Sequence, residues 1–107
     1  GVRNRPIYTK VRNSAPTYYS PEAKVKNSLI ADGCQIFGEV ENSIIFRGVK
    51  IGRGTVVKNS ILMQGTITGE NVYLNCVITD KNVVISDRKT LSGCATLPYF
   101  IQKGTRL

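Results

Sequence analysis

The stretch VKNSIL, residues 57–62, decides the fold of this chain because it recurs with little change along the sequence. The other copies are VKNSLI from Val25, VENSII from Val40 and YLNCVI from Tyr73, so the copies follow one another at nearly even spacing. Self-similarity at a short period is typical of repeat architectures, in which each unit packs against its neighbours. We therefore interpret the chain as a stack of coils.

Each period contains three shorter steps, and each step begins with an aliphatic residue. Equivalent steps of stacked coils form columns, and three columns predict a three-sided coil. The first column is Val25, Val40, Val57 and Tyr73; the second is Ile30, Ile45, Leu62 and Ile78; the third is Ile36, Ile51 and Ile67, continued by Val83 or Ile85. Most of these residues are β-branched, which suits short parallel strands. The sequence thus predicts an all-β fold, a parallel β-helix of about four three-sided coils.

Two segments, IGRG (51–54) and FRGVKIG (46–52), resemble the hexapeptide repeat. Known members of that class form left-handed parallel β-helices, so the resemblance, and not the periodicity, implies a left-handed helix. We expect the β-helix domain to cover residues 22–107. Residues 1–21 lack the coil steps and carry three prolines and three tyrosines, which predicts an extended arm or linker. The tail from Leu97 predicts a segment that caps the open strand edges.

The composition limits what this chain can do. It has 107 residues, no His, and three cysteines, Cys34, Cys76 and Cys94, without CxxC spacing. These residues supply too few ligands for a structural zinc site and indicate reduced thiols in a cytoplasmic protein. No apolar run approaches the roughly 20 residues that cross a bilayer, so we expect no membrane partner. Because the chain opens on Gly1, we expect a piece of a longer protein.

The formal net charge of +8 attracts nucleic acid, anionic lipid and phosphorylated metabolites alike. Nucleic acid is disfavoured because the Tyr and Phe residues lie near the ends and do not alternate with basic residues as stacking platforms do. Basic residues on neighbouring central coils form a candidate anion site, composed of Arg47, Lys50, Arg53 and Lys58. Charge-assisted hydrogen bonds from them would hold a phosphate or sugar-phosphate effector. A solvated charged face is the alternative.

Asparagine occupies the same place in each coil, at Asn27, Asn42, Asn59 and Asn75, and is followed by Ser or Cys. Asn tolerates the left-handed backbone conformation, and small residues fit a tight corner. We interpret this pattern as structural, over the alternative of a polar ladder that contacts a ligand.

An apolar residue precedes each aliphatic residue of the second column. Because neighbouring residues on a strand point to opposite faces, this row is predicted to face outward. An exposed apolar row marks a contact surface. The candidate interface stripe is Leu29, Ile44, Ile61 and Val77.

We expect no catalytic, cofactor-binding or metal-binding residue in this chain. Hexapeptide acyltransferases use a His as general base, and this chain has none. Asp80 and Asp87, the acids near the last coil, are interpreted as solvated turn residues. The steps around Gly48, Gly52 and Gly54 match no phosphate loop.

Three runs closely resemble the C-terminal region of bacterial glucose-1-phosphate adenylyltransferase, and most of all its GlgD-type subunit. They are RPIYTKVRNSAPTYYSPEAKVKNSLIADGC (5–34), GEVENSIIFRGVKIGRGTVVKNSILMQ (38–64) and ITDKNVVI (78–85). The resemblance implies a parent that converts ATP and glucose 1-phosphate into ADP-glucose and pyrophosphate for glycogen synthesis. ATP and Mg²⁺ would bind an N-terminal catalytic domain of the same chain, to which residues 1–21 form the linker.

The resemblance also implies partners. In the family the β-helix packs on the catalytic domain, joins identical or homologous subunits into a tetramer and helps to transmit sugar-phosphate or phosphate effectors. A GlgD-type subunit is chiefly regulatory, so the fragment itself is expected to be inactive. The alternative is the β-helix of another sugar nucleotidyltransferase, or of a hexapeptide acyltransferase whose His comes from elsewhere.

Overall fold

The structure, a computed structural model, describes residues 15–107. Residues 1–14, which make up most of the predicted arm, lie outside the described range. The described residues form short strands joined by turns. The strands are β1 Tyr18–Tyr19, β2 Lys24–Lys26, β3 Leu29–Ile30, β4 Gln35–Ile36, β5 Glu39–Glu41, β6 Ile44–Ile45, β7 Lys50–Ile51, β8 Val56–Lys58, β9 Ile61–Leu62, β10 Ile67–Thr68, β11 Tyr73–Asn75, β12 Val77–Thr79, β13 Val84–Ile85, β14 Thr90–Ser92 and β15 Tyr99–Ile101.

The strands form three five-stranded sheets. Sheet 1 contains β1, β4, β7, β10 and β13; sheet 2 contains β2, β5, β8, β11 and β14; sheet 3 contains β3, β6, β9, β12 and β15. Every third strand therefore belongs to the same sheet, and the strand pairs are parallel. Such an order winds the chain around one axis, so the predicted parallel β-helix is confirmed.

The inward residues of the sheets form one continuous core along the axis. In sheet 2, Val25, Val40, Val57, Leu74 and Leu91 are partners in succession, so the first period is shorter than the later ones, which are equal. Six of the predicted inward residues are fully buried, whereas Val25, at the N-terminal end of its sheet, is 39% exposed; the six are Ile36, Val40, Ile45, Ile51, Val57 and Leu62. Stacking supplies this burial, which no coil provides alone.

Three predicted core positions are wrong by one residue. Leu74 takes the place predicted for Tyr73, Thr68 that of Ile67, and Thr79 that of Ile78. The prediction placed the core residues by the repeated phrase and by the nearest aliphatic residue. In the structure the later coils instead keep a constant period, equal to the separation between Val40 and Val57. Because strand side chains alternate, a shift of one residue moves the whole strand to the other face.

Threonine is tolerated in this core because its hydroxyl is hydrogen-bonded. The backbone N–H of Gly52 donates to Oγ1 of Thr68 at 3.1 Å, and that of Met63 donates to Oγ1 of Thr79 at 3.2 Å. Oγ1 of Thr79 also lies 2.8 Å from Oγ1 of Thr66. These hydrogen bonds satisfy the buried threonine hydroxyl groups at positions where the sequence pattern predicted aliphatic side chains.

The corner between sheets 2 and 3 carries the recurring Asn and Ser residues. Asn27, Asn42 and Asn59 have φ angles of 50–52°, as the structural interpretation predicts. The fourth residue in this conformation is Cys76, with φ 55°, and not Asn75, which ends β11. The same shift of one residue explains the difference.

Both ends of the stack extend beyond the four predicted coils. At the N-terminal end, β1 lies within the predicted arm and pairs with β4. At the C-terminal end, β14 and β15 pair with β11 and β12, and Arg106 bridges to Val84. The tail thus covers the edges of the fourth coil by forming strands of a further coil, interrupted at the turn where Cys94 bridges Leu97.

Candidate functional site

The outward face of sheet 3 is apolar along its whole length. Leu29, Ile44, Ile61, Ile78 and Phe100 are partners in succession on its five strands. Leu29 is 69% exposed and Phe100 is 56% exposed, although both lie on paired strands. At the usual strand separation the row is about 19 Å long. We call these five residues the outer stripe.

The outer stripe confirms the predicted outward positions of Leu29, Ile44 and Ile61 and corrects the fourth. Val77 is fully buried, with an exposed fraction of 0%, and the stripe continues instead through Ile78. The signal was present in the sequence, since Ile44, Ile61 and Ile78 are evenly spaced along it. Phe100 was missed because the turn before β15 breaks the period.

A second apolar row widens this face. Ala31, Phe46 and Met63 lie two residues after the first three members of the stripe, so they belong to the same face of the sheet. Phe46 is 40% exposed, and its backbone N–H donates to the carbonyl of Leu62. A contiguous apolar surface of this kind is characteristic of a docking face.

Sheet 2 is covered differently on its outward face. One outward row pairs Lys24 with Glu39 and continues through Val56 and Tyr73. The other contains Lys26, Glu41 and Lys58 as partners in succession. Charges of alternating sign on neighbouring strands suit a solvated surface. The contrast with sheet 3 indicates that the apolar stripe is a property of one side and not of the coil repeat.

The structure does not gather the four basic residues of the candidate anion site into one place. Lys50 and Arg53 line a common groove with Glu70 and Asp87. Arg47 lies in the turn before β7, and Lys58 ends β8 on sheet 2. The site of four cations stays a prediction, and two of them share a surface with two carboxylates.

The three thiols lie in different surroundings. Burial raises the pKa of the Cys34 thiol, whose Sγ lies 3.1 Å from the carbonyl oxygen of Phe46. A hydrogen bond with the side chain of Thr96 lowers the pKa of the exposed Cys94 thiol. Within residues 15–107, no three His, Cys, Asp or Glu side chains lie close enough to hold a metal ion. Nor does this part of the chain contain a helix that is long and apolar enough to span a membrane.

The sheet order and the coil repeat together define a parallel β-helix of the hexapeptide-repeat class. Residues 15–93 match the family described as GlmU-like, C-terminal hexapeptide, and the chain belongs to that family.

Individual relatives agree with the resemblance read from the sequence. The glycogen biosynthesis protein GlgD of Bacillus subtilis (strain 168) is 49% identical over 100 residues, covering 94% of this chain and 29% of that protein. GlgD of Geobacillus stearothermophilus is 48% identical over 102 residues, covering 95% and 30%. Glucose-1-phosphate adenylyltransferase of Bacillus mycoides (strain KBAB4) is 40% identical over 85 residues, covering 79% and 23%. The chain spans less than a third of the length of these relatives.

Proposed function

We propose that this β-helix is the C-terminal regulatory and assembly module of a GlgD-type subunit that acts in cytoplasmic glycogen biosynthesis. The observation that carries the proposal is the 49% identity to GlgD across 94% of the chain. The outer stripe supports it, because a regulatory module needs a face that binds the rest of its enzyme. Covering apolar surface is worth roughly 25 cal/mol for each Å² removed from water.

The proposed occupant of the sheet 3 face is the catalytic domain of the same chain or an identical or homologous subunit. Phe46 and Phe100 supply aromatic anchors of the kind that dominate binding energy at interfaces. Both are exposed in this chain alone. The outer stripe has one residue on each strand of sheet 3. The second apolar row, Ala31, Phe46 and Met63, doubles the width of this apolar face over the first three coils.

The chemistry belongs to the parent enzyme. ATP, Mg²⁺ and glucose 1-phosphate would bind the N-terminal domain, and the β-helix would contribute no reacting group. The absence of His supports this division, because the general base of a hexapeptide acyltransferase has no counterpart in the chain. It also disfavours the acyltransferase alternative.

The test compares the parent subunit carrying Ile44→Glu and Ile61→Glu with the unchanged subunit. We expect the double variant to lose co-purification with glucose-1-phosphate adenylyltransferase and to sediment as a smaller species, because two carboxylates would be buried without partners. A matched control places Glu at Val56 and Tyr73 on the outward face of sheet 2. Unchanged assembly in the double variant, or equal loss in the control, would count against the sheet 3 face.

A further inference from the structure

One corner of the β-helix is shorter in one coil than in the coils on either side. The connection in question joins the inward residue of sheet 1 to the inward residue of sheet 2. It runs from Tyr19 to Val25 in one coil and from Ile51 to Val57 two coils later, and these two connections are equally long. In the coil between them the connection runs only from Ile36 to Val40 and is two residues shorter. This deletion is the reason why the first period is shorter than the later ones.

The short connection leaves a recess between the two longer turns. Phe37 and Gly38 come from the short connection, Glu22 comes from one longer turn and Arg53 from the other, and all four line the same groove of ≈ 310 Å³. Gly38 is required at this point, because a Cβ there would collide with the carbonyl oxygen of Thr55 in the next coil. The recess is therefore built into the coil geometry.

The recess continues across sheet 1 as a second groove of ≈ 450 Å³, which shares Phe37 and Arg53 with the first. Each volume falls within the usual range of ligand sites, roughly 300–1,000 Å³. We call the two together the corner groove. Phe37 lies where they join, and its ring packs against that of Tyr18 with centroids 5.6 Å apart. This packing holds the aromatic ring in place at the centre of the groove.

Positive and negative side chains are present in equal number in each half of the corner groove. The sheet 1 half has Lys50 and Arg53 against Glu70 and Asp87, and the recess has Lys24 and Arg53 against Glu22 and Glu39. An anion in either half would meet as many carboxylates as cations. The charge balance therefore favours a neutral ligand that both donates and accepts hydrogen bonds.

A sugar chain has these properties. Its hydroxyl groups donate to carboxylates and accept from Lys and Arg, and such charge-assisted bonds are the stronger ones. One face of a sugar ring presents C–H groups, which pack on the negative π face of an aromatic ring. The groove runs from sheet 1 around the corner to the turn of Glu22, so it has room for several linked rings.

We propose that the corner groove binds a neutral oligosaccharide, with one sugar ring stacked on Phe37 and the hydroxyl groups of its neighbours bonded to Arg53 and Glu70. The site lies at the corner between sheets 1 and 2, away from the sheet 3 face. It thus assigns the module a ligand in addition to the assembly role, and it stands or falls separately from that role.

The experiment titrates the 107-residue chain with maltoheptaose, a linear glucan, and follows backbone amides by NMR and affinity by calorimetry. We expect amide shifts at Phe37, Gly38 and Arg53. Phe37→Ala should weaken binding about tenfold, because it removes the stacked ring. Phe37→Tyr keeps the aromatic ring and should bind maltoheptaose like the unchanged chain. Arg53→Ala is a second, independent variant, which tests the groove if Phe37→Ala does not fold, and it should weaken binding severalfold.

The matched control is Tyr73→Ala, which removes a half-buried aromatic residue from sheet 2 outside the groove. It should leave maltoheptaose affinity unchanged. Absence of shifts at about 10 mM maltoheptaose, shifts confined to other surfaces, or equal weakening by Tyr73→Ala would overturn the proposal. Inorganic phosphate that moves the groove amides where maltoheptaose does not would also overturn it, in favour of an anion site.

Discussion

The side-chain amide of Asn42 donates a 2.6 Å hydrogen bond to Oδ1 of Asn59, its counterpart in the next coil. Asn27 donates to Asn42 in the same way at 3.0 Å, and Asn59 donates to Oδ1 of Asn75 at 2.9 Å. An asparagine at this corner therefore meets two demands. It adopts the left-handed backbone conformation, and its amide donates to one neighbour while it accepts from the other.

Replacing Asn59 separates these two demands. We expect Asn59→Ala to lower the free energy of unfolding by about 2 kcal/mol, because it loses ladder bonds and strains a positive φ. Asn59→Gly relieves the backbone strain and loses only the ladder, so it should cost about 1 kcal/mol. Urea denaturation measures both. Asn82→Ala is the control, since Asn82 has φ 59° at another corner; an equal cost at the two positions would show that the ladder adds nothing.

Substitution of Gly38 tests how closely neighbouring coils approach each other at the short connection between sheets 1 and 2. We expect Gly38→Ala to cost about 3 kcal/mol, because the new methyl group would overlap the backbone of Thr55. Gly48→Ala serves as the comparison: Gly48 has φ +68° and open space around its Cβ position, so only backbone strain of about 1 kcal/mol is expected. Thermal unfolding of the two variants ranks them. A Gly38 variant as stable as the Gly48 variant would contradict the close approach.

Substitutions of Ile78 and Val77 test which of these two residues lies on the outward face of sheet 3. Val77→Glu would bury a carboxylate without a partner and should unfold the chain, with a loss of at least about 4 kcal/mol. Ile78→Glu replaces a side chain on the outward face, so the free energy of unfolding should change by no more than about 1 kcal/mol. Circular dichroism melts distinguish them. A Val77→Glu variant that stays folded would contradict the burial of Val77.

The thiols are expected to react with iodoacetamide in a fixed order. Cys94 is exposed and its pKa is lowered by the hydrogen bond with Thr96, so it holds more of the reactive thiolate near neutral pH. Cys34 is buried and its pKa is raised, so it should react only when the chain opens. Peptide mass spectrometry after short exposures to iodoacetamide shows which cysteine is labelled first. Labelling of Cys34 before Cys94 would refute it.

The raised pKa of Cys34 also predicts a pH dependence of stability. The unfolded chain loses this thiol proton at about pH 8.5, before the folded chain does. The stabilisation is therefore complete below that pH and is lost as pH rises through the higher pKa of the folded state. Cys34→Ala should show a smaller fall in urea midpoint between about pH 8 and pH 10 than the unchanged chain. Parallel falls in the two proteins would show that Cys34 does not contribute.

The repeated phrase was sufficient to predict the class of fold, because three aliphatic columns can be buried together only by stacking coils. It also located three of the four predicted stripe residues. It failed at Tyr73, Ile67 and Ile78, because in each case the next residue along the chain, Leu74, Thr68 or Thr79, faces the core instead. Composition does not reveal that a buried threonine finds a hydrogen-bond partner in the next coil, and Thr68 and Thr79 do so.

The sequence by itself determined the coil, the corners built on Asn and Gly, and the existence of an apolar outward row. These follow from local preferences repeated at a near-constant spacing. The tertiary structure decided which face each residue takes in the last coils, the separation of Arg47 and Lys58 from the Lys50 and Arg53 groove, and the recess beside Phe37. Each of these depends on the register between coils, and register is set by packing between residues one full coil apart, which no single stretch of sequence specifies.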